Sequence, residues 1–421
     1  MPHAAVKDQL REVFVGRQPV LDREQTLVGH ELQFHEAGRA RAASSADSAA
    51  TADMVCKAFS ELGLADAFGS SLTFINVDAD FFAADFVELL PPQTVVLQVA
   101  LPEMKRDGAL ERCRSLHARG YRFCITEVRE IAEGSWPMIE IADWIKLDLD
   151  RVAAADLQST VRALATSRRK LIAAGVDTQA RKEVCSLLGF DLFQGFYFAE
   201  PVIIEGRKLD ASIQGLLRLS RLLAEEADLV ALDAAFRAEP ALVINLLRIA
   251  NSVGSGMRTR VTSIRNAITA VGTKQLQRWL SLLIFAQGGN MDFARNPLLQ
   301  LAALRGRFME LLAERLHPDT RRLREPAFLT GLMSVVPAAL HMSMTDVLAH
   351  IALDQEVRVA LSHRQGVLGN LLEILDNYDR GDVASVQAQL APFGDRAPLS
   401  TMGEILADAV GWVQKLGTET A

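Results

Sequence analysis

Two rhythms divide this chain, and the point where one gives way to the other limits what it can fold into. Up to about residue 200, short β-type runs alternate with helix-length segments. The β-type runs are 13–20 (VFVGRQPV), 27–34 (LVGHELQF), 72–77 (LTFINV), 95–101 (VVLQVAL), 122–128 (RFCITEV), 144–149 (WIKLDL), 170–176 (KLIAAGV) and 192–198 (LFQGFYF). Most are rich in β-branched or aromatic residues and bounded by polar or glycine-containing stretches. Helix-length segments at 52–68, 102–119, 157–167 and 179–188 separate most of them. The first two strands are joined instead by the short polar turn 21–25 and read as a hairpin. Strands alternating with helices predict a parallel sheet closed into a (β/α)8 barrel, with one strand antiparallel because of the hairpin. An open doubly wound sheet is the alternative from the pattern alone, but its glycine-rich phosphate signature is missing. The two glycines of 253–258 (VGSGMR) follow no strand and read as a loop.

After Pro201 the β signal fades. Apolar residues then recur at three- and four-residue spacing, as in Ile213, Leu216, Leu217, Leu219, Leu222 and Leu223. Helical runs follow at 239–251, 264–271, 274–286, 298–316, 327–336, 344–353, 367–378 and 403–415. The second half is therefore all-α, with a linker near 200–208. The Ala/Ser-rich stretch 39–51 reads as a loop leading into a helix.

Composition narrows the functional classes. With 421 residues, 49% of them hydrophobic and 23% charged, the chain has the balance of a globular protein with at least two cores. Aromatic residues are 6%, so those cores rest on Leu, Val, Ile and Ala. A formal net charge of −7 argues against non-specific nucleic-acid binding, which needs a basic surface. The arginine-rich run 304–324 interleaves Glu310 and Glu314 and reads as a solvated helix face. The longest obvious apolar run, 279–286, is far shorter than the roughly 20 residues of a membrane helix. The opening MPHAAVKDQLREVFV lacks a secretory pattern, so a cytoplasmic location is expected. Cys56, Cys113, Cys124 and Cys185 form no CxxC pair and read as free thiols.

In barrels of this kind reactive groups sit at the C-terminal ends of the strands. The polar residues there are Glu31, Asn76, Gln98, Thr126 with Glu127, Lys146 with Asp148, and Gln194. This ordered set resembles the EAL family of cyclic di-GMP phosphodiesterases over about residues 12–204. QPVLDREQTLVGHELQF, which includes Gln18, looks like the family's opening hairpin. TFINVD looks like its asparagine strand and WIKLDLD its lysine-and-aspartate strand. LIAAGVDT and FQGFYFAEP look like the strands that close the barrel.

Active members bind two divalent cations through several carboxylates, so the departures carry weight. The signature reads Glu31-Leu32-Gln33. Gln98 stands for a glutamate, Thr126 and Glu127 for paired aspartates, Ala174 and Leu101 for two more glutamates, and His35 for the arginine that clamps a substrate phosphate. Lys146, Asp148 and Gln194 match. Lys146 and Asp148, two apart on one strand, could pair with each other. The implied pocket consists of Gln18, Glu31, Asn76, Gln98, Glu127, Lys146, Asp148 and Gln194. With so many carboxylates gone, neither a catalytic residue nor a metal is expected there.

The second half resembles the HDOD domain, a helical relative of metal-dependent HD phosphohydrolases, over about residues 209–400, with a final helix to about 416. EPALVINLLRIANSV, VTSIRNAITAVGTKQLQRW and AFLTGLM carry the likeness. A metal-dependent HD site needs a His-Asp dipeptide, and the chain has none. His317, His341, His350 and His363 read as surface or packing residues. His30 and His35 lie five apart in a β run and point to opposite faces, which excludes a zinc-protease pair. The expectation is an EAL-type barrel followed by an HDOD helical bundle. Its expected role is non-catalytic signal transduction through protein partners bound by the HDOD domain, with no cofactor. The alternative is a cyclic di-GMP receptor or a weak phosphodiesterase using Mg²⁺ or Mn²⁺.

Overall fold

Strands β1 (Val13–Asp22) and β2 (Leu27–Glu36) form the expected hairpin. They are followed by β3 (Leu72–Val77), β4 (Val95–Ala100), β5 (Arg122–Thr126), β6 (Trp144–Asp148), β7 (Lys170–Ala174) and β8 (Leu192–Gln194). The computed structural model describes residues 13–36, 71–77, 81, 87–88, 90–128, 131, 133–200, 211–253, 261, 263–285 and 296–420. The expected helix at 52–68, the stretch 39–51, most of the linker, Cys56 and the loop glycines Gly254 and Gly256 lie outside these residues.

The eight strands close into a barrel in sequence order. β1 runs antiparallel to both β2 and β8, and every other pairing is parallel. The hairpin forces this, because a parallel connection needs a crossover of a dozen or more residues. Its turn is fixed where Asp22 Oδ1 accepts from the Thr26 amide at 2.7 Å. Several later strands end earlier than their sequence runs suggest. After β8, Gly195 takes a φ of 148° and a short 3₁₀ turn, Tyr197–Ala199, replaces the end of the predicted strand. Gly29 is required in β2, since a Cβ there would collide with the Leu72 backbone of β3.

The barrel interior is layered. Val20, Phe74, Val96, Cys124, Trp144, Ile172 and Leu192 form one apolar layer contributed by seven strands. Outside, α1 (Leu101–Met104) and α2 (Ala109–Ala118) occupy the predicted helix 102–119, interrupted where Gly108 turns left-handed at a φ of 78°. Met104, Cys113 and Leu116 pack there against Leu97, Val99 and Phe123. Helices α3 (Trp136–Ile141), α4 (Ala154–Ala165) and α5 (Gln179–Leu188) complete the alternation. Cys113, Cys124 and Cys185 are free and buried. Burial pushes the Cys113 and Cys124 thiols up to about 12, which leaves them unreactive.

The helical half begins with α6 (Ala211–Ala224), α7 (Leu229–Arg237), α8 (Pro240–Val253), α9 (Ile264–Val271) and α10 (Thr273–Leu283). Their apolar stripes meet in one core around Leu219, Phe236, Leu246, Ile268, Leu276 and Leu280. Next come α11 (Pro297–Leu316), α12 (Arg324–Met333), α13 (Val336–Leu340), α14 (Met344–His350) and α15 (Gln355–His363). α16 (Gly366–Asp379), α17 (Val383–Leu390) and α18 (Ser400–Thr420) end the chain. At Gly331 a Cβ would strike the Arg305 carbonyl, so α11 and α12 approach closely only because the side chain is absent.

The arginine-rich run is not a solvated face throughout. Arg305 and Glu310 are buried. Arg278 Nη2 donates to Glu310 and to Glu325, each at 2.6 Å, and its guanidinium lies 4.3 Å from the Phe328 ring centre. These carboxylates raise the Arg278 pKa further, against the desolvation that lowers it. Charges this far from water persist only as pairs.

The chain divides into two compact units. One holds the barrel as far as Gly195, apart from 177–179, together with Asp376–Gly411. The other holds Phe196–Leu375 and Trp412–Ala421 with the short 177–179 piece. Residues 376–400, which the HDOD resemblance places in the helical domain, cluster with the barrel. Periodicity identifies a helix but not the surface that buries its stripe.

Removing the hub of the helical unit's ion cluster leaves two carboxylates underpaired. Arg278→Met should therefore destabilise that unit by about 3 kcal/mol. Urea unfolding followed by far-ultraviolet circular dichroism measures it, with the exposed Arg221→Met variant as the near-neutral control.

Candidate functional site

Each barrel strand alternates faces with period two, so the inward residue next after the apolar layer is two positions on. Above Phe74, Val96, Trp144 and Leu192 stand Asn76, Gln98, Lys146 and Gln194. Above Ile172 stands Ala174, which offers no polar atom. Glu31 enters from β2, opposite Gln18 of β1.

These residues converge on the Glu31 carboxylate. Its Oε1 accepts from Asn76 Nδ2 at 2.8 Å, Gln98 Nε2 at 2.8 Å and Lys146 Nζ at 2.9 Å. Its Oε2 accepts from Gln194 Nε2. Gln18 Oε1 accepts from Gln194 Nε2 at 2.8 Å and from Gln33 Nε2 at 3.4 Å. Four strands thus deliver a donor to the carboxylate carried by β2, and β1 buttresses the cluster through Gln18. Glu31 and Gln98 are only 3% and 1% exposed. Burial by itself raises the Glu31 pKa. The Lys146 charge and the hydrogen bonds from Lys146, Gln98 and Gln194 outweigh it and hold the carboxyl below its usual range.

Glu127 and Asp148 do not join this cluster. Glu127 is exposed at a φ of 53°, where the chain turns out of β5. Arg151 bridges them, donating to Glu127 Oε1 at 3.0 Å and lying 3.2 Å from Asp148 Oδ2. The expected Lys146–Asp148 pair is therefore not formed. Lys146 turns inward to the buried carboxylate, while Asp148 at the strand end turns to Arg151 and accepts from the Asp150 amide. His30 points away from Glu31, as strand alternation requires, and bonds Arg17 instead. Burial, then the Arg17 charge, lower its pKa well below 6.5, so the ring is neutral. The side chain of His35 lies outside the described residues.

Two residues of this region were not among the expected set. Gln33 stands two positions beyond Glu31 on the same face of β2, which strand periodicity could have supplied. Arg151 follows Asp148 by three residues, and no pattern in the sequence marks it.

Comparison with known proteins places these features. Residues 214–358 match the HDOD domain model, covering α6 to the start of α15. The chain is similar to cyclic di-GMP phosphodiesterase CdgJ of Vibrio cholerae, at 26% identity over 97% of this chain and 94% of that one. It is also similar to the uncharacterized protein YuxH of Bacillus subtilis, at 23% identity over 86% of this chain and 90% of that one. The chain joins an EAL-like closed barrel to a helical region that matches the HDOD domain. Among solved structures, the EAL enzyme Bd1971 in its form bound to cAMP and cyclic di-GMP aligns with a TM-score of 0.38 and 16% identity, over 45% of this chain and 62% of that one.

The EAL resemblance implies two divalent cations, and the donor set of this barrel does not fit them. Hard cations need several anionic oxygens. Here both oxygens of the one central carboxylate already accept from N–H donors, one of them an ammonium. The carboxylate turns the neighbouring amide groups N–H first, with their oxygens away from it. Among the described residues, no group of three or more His, Cys, Asp or Glu is arranged to hold a metal ion.

The lowered Glu31 pKa makes a pH prediction. Its stabilising contribution is complete above the unfolded carboxyl value, about 4.3, and is lost as pH falls through the lower folded value. Glu31→Gln also strands the Lys146 charge, so it should cost the barrel about 3 kcal/mol at neutral pH. Below about pH 4.3 the variant's stability should fall less steeply than the wild type's, by up to one proton. Urea midpoints measured from pH 7 down to pH 3 check both.

Proposed function

We propose that this EAL–HDOD protein is a cytoplasmic cyclic di-GMP signalling protein whose barrel does not hydrolyse the dinucleotide and which acts through protein–protein contacts of its HDOD domain. The observation that carries the reading is the Glu31 cluster. Activating water for attack on a phosphodiester needs cations that several carboxylates hold. At the matched positions this barrel offers an amide at Gln98, a methyl group at Ala174 and a carboxylate already neutralised by Lys146. Function follows the site and not the fold, so a relative named as a phosphodiesterase supports the signalling context more strongly than the reaction.

Two features support the remainder. Among the described residues no helix is long and apolar enough to cross a membrane. In the HDOD unit, Val230 on α7 and Ile244 on α8 are exposed large apolar side chains, which are the groups a protein partner would cover.

Purified full-length protein incubated with cyclic di-GMP and Mg²⁺ or Mn²⁺ tests the proposal. No linear dinucleotide is expected above the no-protein control. Metal-dependent linearisation that disappears in Glu31→Ala would overturn it. Calorimetric titration with cyclic di-GMP separates the two non-catalytic forms. Saturable binding without cleavage makes the barrel a receptor, and no heat makes it a scaffold.

A further inference from the structure

The pocket built around Glu31 is not bordered by barrel residues alone. Asp376–Gly411 belongs to the same compact unit, although the barrel's last strand ends at Gln194. Within this segment the turn between α16 and α17 carries Gly381 in the left-handed region, at a φ of 70°. A Cβ placed on Gly381 would stand 4.0 Å from Gln33 Oε1, which is van der Waals distance. Gln33 shares the inward face of β2 with Glu31 and lies one step nearer the strand's C-terminal end. Its amide donates into the pocket, to Gln18 Oε1. The turn therefore touches the rim of the pocket on the side where β2 leaves it.

The turn is internally braced. The Gly381 and Asp382 amides donate to the carbonyls of Tyr378 and Asn377, each at 3.0 Å. Asp382 Oδ1 caps α17 by accepting from the Ser385 amide at 3.1 Å, and its Oδ2 accepts from Ser385 Oγ at 2.6 Å. Asn377 Nδ2 donates to Gln389 Oε1 at 3.0 Å, tying α16 to α17. A second attachment is electrostatic. Asp379 supports the charge of Arg17 on β1, the strand partner of the site strand, against the desolvation that burial imposes on the guanidinium. Tyr378, beside Asp379, is buried.

We infer that the 380–382 turn, with the end of α16 and α17 on either side of it, is a strap over one side of the barrel mouth, seated on Gln33, so that access to the Glu31 pocket depends on the strap's position. The strap is part of this chain and its approach side is the end of β2. The inference holds whether the pocket binds a nucleotide or nothing, so its test is independent of the one for hydrolysis.

Thiol labelling of the full-length protein tests it. The background is Cys56→Ser, which leaves the three buried cysteines. Gln33→Cys reports the strap side of the rim. Asp148→Cys, at a half-buried position on β6, reports the rim elsewhere. With a maleimide reagent, the Gln33→Cys thiol is expected to react more slowly than the Asp148→Cys thiol. Adding Asp379→Ala should raise the Gln33→Cys rate about 10-fold through local opening and leave the Asp148→Cys rate unchanged. Asp382→Ala loosens the turn from its other side and should give the same selective rise. Unchanged rates in both loosened variants would overturn the inference. So would equal acceleration at both reporter positions, which would indicate general loosening instead of a strap.

Discussion

One buried carboxylate sets the terms for the upper half of the barrel. An unpaired charge so far from water costs several kcal/mol, so Glu31 fixes what its neighbours must be. They must donate. Asn76, Gln98 and Gln194 therefore turn their amide N–H groups inward, and Lys146 supplies the balancing charge. The same contacts tie β2 to β3, β4, β6 and β8 at a single level. Lys146 alone balances Glu31. Restoring glutamates at Gln98 and Ala174 would leave excess negative charge inside the barrel. That charge would have to be met by bound cations or by protonation. With Gln98 and Ala174 uncharged, Lys146 suffices to balance the one buried carboxylate.

The barrel was legible because its signals are local. A five-residue turn between two β runs can make only a hairpin, and the hairpin dictates the antiparallel strand. The i, i+2 rule places Asn76, Gln98, Lys146 and Gln194 on the inner face before any coordinate is known. The partners of those side chains were less legible. Strand periodicity allows Lys146 to face either Asp148, its neighbour along the strand, or Glu31, far away in sequence. Burial decides it, because the carboxylate removed from solvent gains more from the ammonium than the one at the strand end. The Arg151 bridge was missed for the same reason. It lies in the turn after β6, and its contact with Glu127 depends on how the β5 and β6 ends are placed. In the helical half, Arg305 and Glu310 look like solvated charges because amphipathic patterning counts residue types and not their neighbours.

Domain boundaries show the same limit at larger scale. α16 has the amphipathic rhythm of the helices before it, and nothing in that rhythm says which core its end completes. In the structure the end of α16 and all of α17 cluster with the barrel. An antiparallel hairpin has no crossover helix of its own, so it leaves outward residues such as Arg17 and His30 to be covered by something else. The C-terminal segment supplies a charged partner there in Asp379.

The two units share a way of handling internal charge. In the barrel, Glu31 is held by an ammonium and amide donors. In the helical unit, Glu310 and Glu325 are held by Arg278 against the Phe328 ring. Both clusters balance their central charges with protein groups, and each spans elements far apart in sequence. Such clusters fix one arrangement of the elements they join, because any shift leaves a buried charge without its partner. A catalytic metal site must instead keep an open coordination position for substrate and water. Charge pairing of this kind thus fixes the order of strands in one unit and of helices in the other through the same constraint.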